Sequence, residues 1–356
     1  MNFNTILGKK DFMEFLRGKK ATFLLSCSVT KTADIEGISQ AGIPGKMHLT
    51  PTLDAEFLAI KEVRSLDDIA TTSKGIPTPG LITRAVHEIK PFENIEFLNL
   101  GFEVMPKIDY FKIHNFDIKP SNRIDESAKI DAMAIFQKGL EFGQNYKSSS
   151  KYTILAETIP AGTTTAKATA MALGYEECEE YFASSFKKTP NAIRDKVLKS
   201  ALYKIDNSMD IFQKLSIVSD NMIVFNAGFI LGLQSTNHKL VLAGGTQMAA
   251  VLLTVNSILK TMGGEIDSSK LALCTTKWIA EDENSNIEAI LKSLDFKIAA
   301  YYAEFDFSTS KSEVLKLYDK GEAKEGVGAG GALVYAAING ASKGEIVKKV
   351  ESFIGV

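Results

Sequence analysis

Tyr152-Thr153-Ile154-Leu155-Ala156-Glu157-Thr158-Ile159-Pro160-Ala161-Gly162-Thr163-Thr164-Thr165-Ala166 begins as an apolar β-rich run, turns through Pro160 to Gly162, and continues into the Ala-rich stretch Lys167 to Leu173. The order is strand, Gly/Thr loop, helix. Backbone N–H groups at such a helix start, with the hydroxyls of Thr163, Thr164 and Thr165, can satisfy phosphate oxygens, and the helix dipole favours negative charge there. The loop is not a Walker A sequence, because no Gly-Lys-Ser/Thr follows Gly162 at the required spacing, and it is not GxGxxG. A threonine N-cap on an ordinary helix fits the same residues.

Similar runs ending in small or turn-forming residues lie at Thr22 to Cys27, Ile95 to Leu100, Met222 to Asn226, Lys239 to Ala243 and Leu271 to Cys274, most of them leading into a helical pattern. This alternation predicts an α/β fold, a Rossmann-like three-layer sandwich with a mostly parallel sheet. One domain is expected over 1–356: a large α/β core at about 21–340 and a smaller, mainly helical part from about the first 20 and last 15 residues. Phe12, Phe15 and Leu16 suggest a short amphipathic helix at the start. Ser127 to Tyr146 has helical spacing, and Tyr175 to Asp206 reads as a charged, solvated helical face. Gly37 to Pro51 and Gly75 to Gly80, dense in Gly, Pro, Ser and Thr, read as loops over a site or as plain surface connections.

In a parallel α/β sheet, ligands bind beyond the carboxyl ends of the strands, so the strand-to-helix loops carry the candidates. Glu325-Gly326-Val327-Gly328-Ala329-Gly330-Gly331, ahead of the apolar run Ala332 to Ile338, sets a carboxylate before a Gly-rich helix start. It fits an anionic ligand beside a base, and equally a close-packing device. Ala243-Gly244-Gly245-Thr246-Gln247-Met248 and Cys274-Thr275-Thr276-Lys277-Trp278 are two further loops of this kind.

With 45% hydrophobic residues over 356 positions, the chain can bury a sizeable core, and a formal charge of -2 offers no basic field for nucleic acid. Leu240 to Leu259 is apolar but interrupted by Gly244, Gly245, Thr246, Gln247, Thr254, Asn256 and Ser257, which favours a buried strand, loop and helix over a membrane span. Cys27, Cys178 and Cys274 are far apart without CxxC spacing, and the four histidines show no HExxH pattern. No disulfide framework or metal site is read from them, and a cytoplasmic protein is expected.

Two of these segments carry a family resemblance. Glu157 through Thr164, read as E-x-x-x-x-[GN]-T-T, and Glu325 through Ala329, read as E-G-x-G-A, resemble in order and separation two motifs of the nicotinate-nucleotide:dimethylbenzimidazole phosphoribosyltransferases. Between them, Gly228-Phe229, the Gly244-Gly245-Thr246 loop and Ala280-Glu281 continue the pattern, so the resemblance runs from Tyr152 to Ile338. It implies transfer of phosphoribose from nicotinate mononucleotide to dimethylbenzimidazole, giving the α-ribotide used in cobalamin synthesis, in a homodimer and without a cofactor. By that analogy Glu325 takes the proton of the azole N–H. Glu157, Gly162, Thr163, Thr164, Thr165, Lys196, Gly244, Gly245, Thr246, Thr276, Gly326 and Gly328 would hold the phosphoribosyl group, with Lys196 as counter-charge. Thr78, Pro79 and Thr83 would line the base pocket.

The chain departs from the family pattern at Ile159-Pro160-Ala161-Gly162, where Gly-Ile-Gly-Asn is usual, and the N-terminal third lacks the Asp-His-Gly run. The acceptor is therefore left open among benzimidazoles, purines and phenols. A non-catalytic nucleotide-binding or assembly protein is the alternative. A dinucleotide-dependent oxidoreductase is disfavoured by the missing GxGxxG.

Overall fold

Alternate residues of the central strands face opposite layers, and this alternation builds the molecule. A computed structural model describes residues 1–183 and 186–356. Its strands are β1 (Phe3–Leu7), β2 (Ala21–Cys27), β3 (Asn94–Asn99), β4 (Lys112–Asn115), β5 (Tyr152–Thr158), β6 (Lys239–Ala243), β7 (Leu271–Thr275) and β8 (Ala299–Ala303). They form one eight-stranded sheet in the order β1-β8-β7-β6-β5-β2-β3-β4. Every pairing is parallel except β1 with β8.

Leu24, Leu155, Leu242 and Leu273 lie in register across β2, β5, β6 and β7 and enter one hydrophobic core. Their neighbours Phe23, Ile154, Val241 and Ala272 enter the other. The first core is covered by α4 (Ala132–Gln144), α5 (Gly162–Ala172), α6 (Asn191–Leu202), α7 (Ile211–Val218), α8 (Asn221–Leu233), α9 (Thr246–Met262), α10 (Lys277–Ala280) and α11 (Ile287–Lys292). The second is covered by α1 (Asp11–Leu16), α2 (Thr50–Ile60), α3 (Gly80–Ile89), α12 (Ala329–Ile338) and α13 (Lys343–Phe353). The expected α/β three-layer sandwich is thus present. Among the described residues, no helix is long and apolar enough to cross a membrane.

Three expectations change. Met222 to Asn226 is not a strand: it lies in α8, which Asp220 caps by accepting from the Ile223 N–H at 2.9 Å. That helix is buried on nearly every face, so it lacks the polar stripe by which a helix is recognised. The first residues supply the edge strand β1 instead of belonging to a helical part, and in α1 it is Met13 and Leu16 that are buried while Phe15 is 55% exposed. Strand β8, Ala-Ala-Tyr-Tyr-Ala, went unread because alanine is depleted in strands. Of the charged stretch Tyr175 to Asp206, residues 184–185 lie outside the described residues.

Helices α4 and α8 approach so closely that glycine is required. A Cβ at Gly228 would stand 2.2 Å from the Phe136 carbonyl oxygen, and one at Gly139 would stand 2.1 Å from that of Phe225. Gly228, part of the family-like pattern in the sequence, thus serves helix packing. Gly228→Ala is expected to lower stability by roughly 2 kcal/mol, as core overpacking does, read as a fall in urea midpoint with unchanged m-value.

Candidate active site

From β5 the chain proceeds outward to β6, β7 and β8, whereas from β2 it proceeds the other way to β3 and β4, so the strand order reverses between β2 and β5. A cleft forms beside such a switch point. It encloses about 990 Å³, its open mouth included, and is lined by Glu157 and Thr158 at the end of β5, by Gly245 to Gln247 where α9 begins, by Gly162 to Thr164 of α5, and by Ala323 to Val327. The expected cover is there as well: Ile38 to Gly42 and Ile76 to Pro79 form its outer walls.

Glu325 is held by the start of α12 and the end of β7. Its Oε1 accepts from the N–H groups of Gly326 and Gly330, each at 3.1 Å, and its Oε2 from the Thr276 N–H at 2.9 Å and the Thr275 hydroxyl at 3.3 Å. Burial pushes its carboxyl up to about 7 against the lowering effect of those donors. A carboxyl at that value is poised to exchange a proton near neutrality. A Cβ on Gly330 would come within 2.1 Å of the Thr275 carbonyl carbon, so only glycine lets this helix start reach the strand end.

Glu157 is buried, and burial, reinforced by the charges of Glu325, Asp220 and Asp54, pushes its carboxyl well above the ordinary range. With the Gln247 carboxamide turned so that its nitrogen faces Glu157, it donates to both carboxylate oxygens at 2.7 and 2.9 Å, and its oxygen accepts from the Thr163 N–H at 3.0 Å. Gln247 therefore bridges the carboxylate and the Gly/Thr loop.

That loop offers fewer free donors than its sequence suggests. The N–H groups of Gly162, Thr164 and Thr165 turn back onto the carbonyls of Ile159 and Ala161, the latter in the left-handed region at φ 63°. Thr165 does not face the cleft: its hydroxyl donates to the Gly162 carbonyl and to the buried Asp220. Two N–H groups of this loop meet side chains of the cleft: that of Thr163 donates to Gln247, and that of Ala161 to Ser39 Oγ at 3.3 Å.

Of the other expected residues, Gly245, Thr246, Gly326, Thr78 and Pro79 line the cleft. Gly244, Thr276, Gly328 and Thr83 stand behind its wall: Thr276 binds Glu325, Thr83 donates to the Val327 carbonyl at 2.7 Å, and Gly328 packs on Ala156 and Phe23. Lys196 is a correction. It is exposed on α6, because the inward face of that helix is taken by Arg194, Val197, Leu198 and Ala201. Arg194 is the buried cation there, donating to the carbonyls of Phe182 at 2.7 Å and Thr163 at 3.4 Å, and burial lowers its pKa to about 10. Among the described residues no carboxylate forms a contact ion pair with it; the charge of neighbouring Asp195 acts on it from a distance, and its cationic group lies behind the Gly/Thr loop.

Asp54 was also missed. It is 2% exposed, lines the cleft, and accepts from the hydroxyls of Thr78 and Thr158, both at 2.7 Å, joining the outer loop to the end of β5. Its signal was a lone acid followed by Glu56 in the otherwise apolar run Thr50 to Ile60. Arg194 had no such signal inside a charged stretch.

Two solved structures from Thermus thermophilus share this architecture. A nicotinate-nucleotide-dimethylbenzimidazole phosphoribosyltransferase is 12% identical with a TM-score of 0.58, the match covering 95% of this chain and 84% of that one. CobT is 14% identical with a TM-score of 0.59, covering 95% and 86%. The fold is therefore that of the CobT-type phosphoribosyltransferases. No family model matches the chain. It belongs to the UPF0284 family: the UPF0284 protein of Saccharolobus islandicus strain L.S.2.15 is 33% identical over 350 residues, 96% of this chain and 94% of that protein. The Saccharolobus solfataricus member is 34% identical over 343 residues (95% and 93%), and that of Sulfurisphaera tokodaii is 34% identical over 335 (93% and 92%).

Burial raises the Asp54 carboxyl from 3.8 to about 6. The folded chain then binds more protons than the unfolded one between these values, so stability is fully present below about pH 4 and is lost as pH rises through about 6. Asp54→Asn removes this loss. From pH 4 to 7 its unfolding free energy should gain up to roughly 3 kcal/mol on the wild type, measured by denaturant titration at each pH.

Proposed function

We propose that the protein transfers phosphoribose from nicotinate mononucleotide to dimethylbenzimidazole or a related aromatic base, yielding an α-ribotide for cobamide synthesis. The observation that carries this reading is Glu325, a carboxyl with a pKa of about 7 facing a cleft that the N-termini of α5 and α9 also line. Displacement at the anomeric carbon forms a bond from a ring nitrogen of the base to C1′ and breaks the bond to the nicotinate nitrogen. The ring positive charge of the nucleotide disappears as nicotinate leaves, so the leaving group needs no acid. The attacking azole needs a base, and Glu325 takes its N–H proton.

The phosphate is assigned to the mouth between α5 and α9, where it replaces the Gln247 oxygen at the Thr163 N–H and meets the first amides of α9. The buried Arg194 adds positive potential from behind Thr163. Glu157 receives ribose hydroxyls in place of the Gln247 amide. Thr78 and Pro79 face the base. The soluble protein acts on small molecules, as a homodimer in the cytoplasm.

Purified protein incubated with nicotinate mononucleotide and a panel of benzimidazoles, purines and phenols should release nicotinate, detected by mass spectrometry, only when an acceptor is present. Nucleotide binding without release would favour the non-catalytic reading. Glu325→Gln should lower kcat by about 10²-fold or more while leaving nucleotide affinity largely intact. Since the ionised carboxylate is the active form, kcat/KM should rise with pH through about 7 and level off above it. Lys196→Ala, at an exposed position, should leave KM within about twofold, whereas loss of a phosphate contact would raise it about tenfold.

A further inference from the structure

Glu322 lies three positions before Glu325, and its side chain is 5% exposed. Its Oε2 accepts from Gln40 Nε2 at 2.9 Å and from the Lys187 backbone N–H at 3.3 Å, and its Oε1 accepts from Lys74 Nζ at 2.5 Å. The three donors come from segments far apart in the chain. Gln40 itself lines the cleft, and the other two follow residues that do: Lys74 comes two positions after Thr72, and Lys187 directly after Phe186. The same short stretch is anchored on its other side, where Lys324 Nζ reaches Asp282 Oδ2 at 2.5 Å and the Thr276 hydroxyl donates to the Lys324 carbonyl at 2.6 Å.

Hydrogen bonds to an ionised acceptor are among the stronger ones, and removing a buried acceptor leaves its donors unsatisfied. The outer loops between β2 and β3 carry little regular structure around these positions: the turn bearing Lys74 is a short hairpin closed by the Thr72 N–H on the Ile76 carbonyl and the Thr78 N–H on the Ala70 carbonyl, with Thr71 and Pro77 as an isolated bridge, and Gly37 to Lys46 contains no strand or helix of four residues. Segments so poor in regular structure open locally at low cost unless tied down. Glu322 ties them to the backbone that carries Glu325.

We infer that Glu322 is the latch of a lid: the loop bearing Gln40 and the turn bearing Lys74 close over the cleft together because they share one carboxylate with the Lys187 amide, and a ligand reaches Glu325 when they release it. Glu322 is a positioning residue, acting through the loops and not on the ligand. The latch does not depend on phosphoribosyl transfer, since any ligand of this cleft must pass the same loops.

The test is hydrogen exchange with mass spectrometry on the full-length, ligand-free protein. Glu322→Ala should speed exchange in 37–46 and 70–76 about tenfold, the equivalent of one lost hydrogen bond, and leave β5 and β6 unchanged. Glu322→Gln, which keeps an acceptor oxygen, should restore part of the protection. Lys74→Met, at a side chain that is 53% exposed and so safe for folding, should speed exchange chiefly in 70–76. Should Glu322→Ala fail to fold, the double variant Gln40→Ala/Lys74→Met takes its place, with faster exchange expected in both segments. Unchanged protection of both loops in whichever of these variants folds overturns the latch. In the nicotinate-release assay, Glu322→Gln should raise KM several-fold with a smaller change in kcat; the exchange result stands even if that assay shows no turnover, which separates failure of the latch from failure of the transferase reading.

Discussion

Helix α12 starts so close to the sheet that Gly328, Gly330 and Gly331 have no room for a side chain. Cβ atoms at Gly328, Gly330 and Gly331 would meet Ala156 at 2.5 Å, the Thr275 carbonyl carbon at 2.1 Å and Ala243 at 2.4 Å. This contact lets one carboxylate, Glu325, accept from the helix start and from the end of β7 at once. The close approach thus fixes this carboxylate relative to the strand ends, where the cleft opens. Such a position trades local conformational freedom for placement, as glycine-rich starts do where backbone must touch backbone.

The second constraint is electrostatic. Asp54, Glu157 and Glu325 share one cleft, and Asp220 lies just behind it. Loss of water around them drives these carboxyls upward and favours their protonated forms, and at Glu157 the neighbouring acidic charges add to that effect. Hydroxyls of Thr78, Thr158 and Thr165, the Gln247 amide and backbone N–H groups hold the cluster in place of cationic side chains. The lysine that lines the cleft, Lys324, is turned to Asp282. Positive potential comes from helix ends and from Arg194 behind the Gly/Thr loop.

The glycines illustrate how one residue type serves two ends. In α4 and α8 they permit two helices to touch, far from any chemistry, whereas in α12 they bring a helix start to the carboxylate. From the sequence the two uses look alike. Only the identity of the atoms a Cβ would meet tells them apart.

The strand, loop and helix order around Tyr152 to Leu173, the parallel sheet, and the place of Glu157, Thr163, Gly245 and Glu325 in one cleft were legible in the sequence, because period, turn residues and strand-end loops are local signals. Helix α8 was misread because burial on nearly every face erases the polar stripe, and Lys196 because it lies two positions beyond the buried Arg194, which turns it to about the opposite side of the helix. The partners of Asp54, Gln247, Arg194 and Glu322 became visible only in three dimensions: they lie 12 to 282 positions away, and no local pattern encodes which distant hydroxyl, amide or carbonyl a buried side chain will meet. The sequence by itself determined the layers and the loops that could bear chemistry. Tertiary structure decided which donors remain free, which charges are buried together, and which carboxylate ties down the loops over the cleft, because those depend on contacts made after the chain has folded.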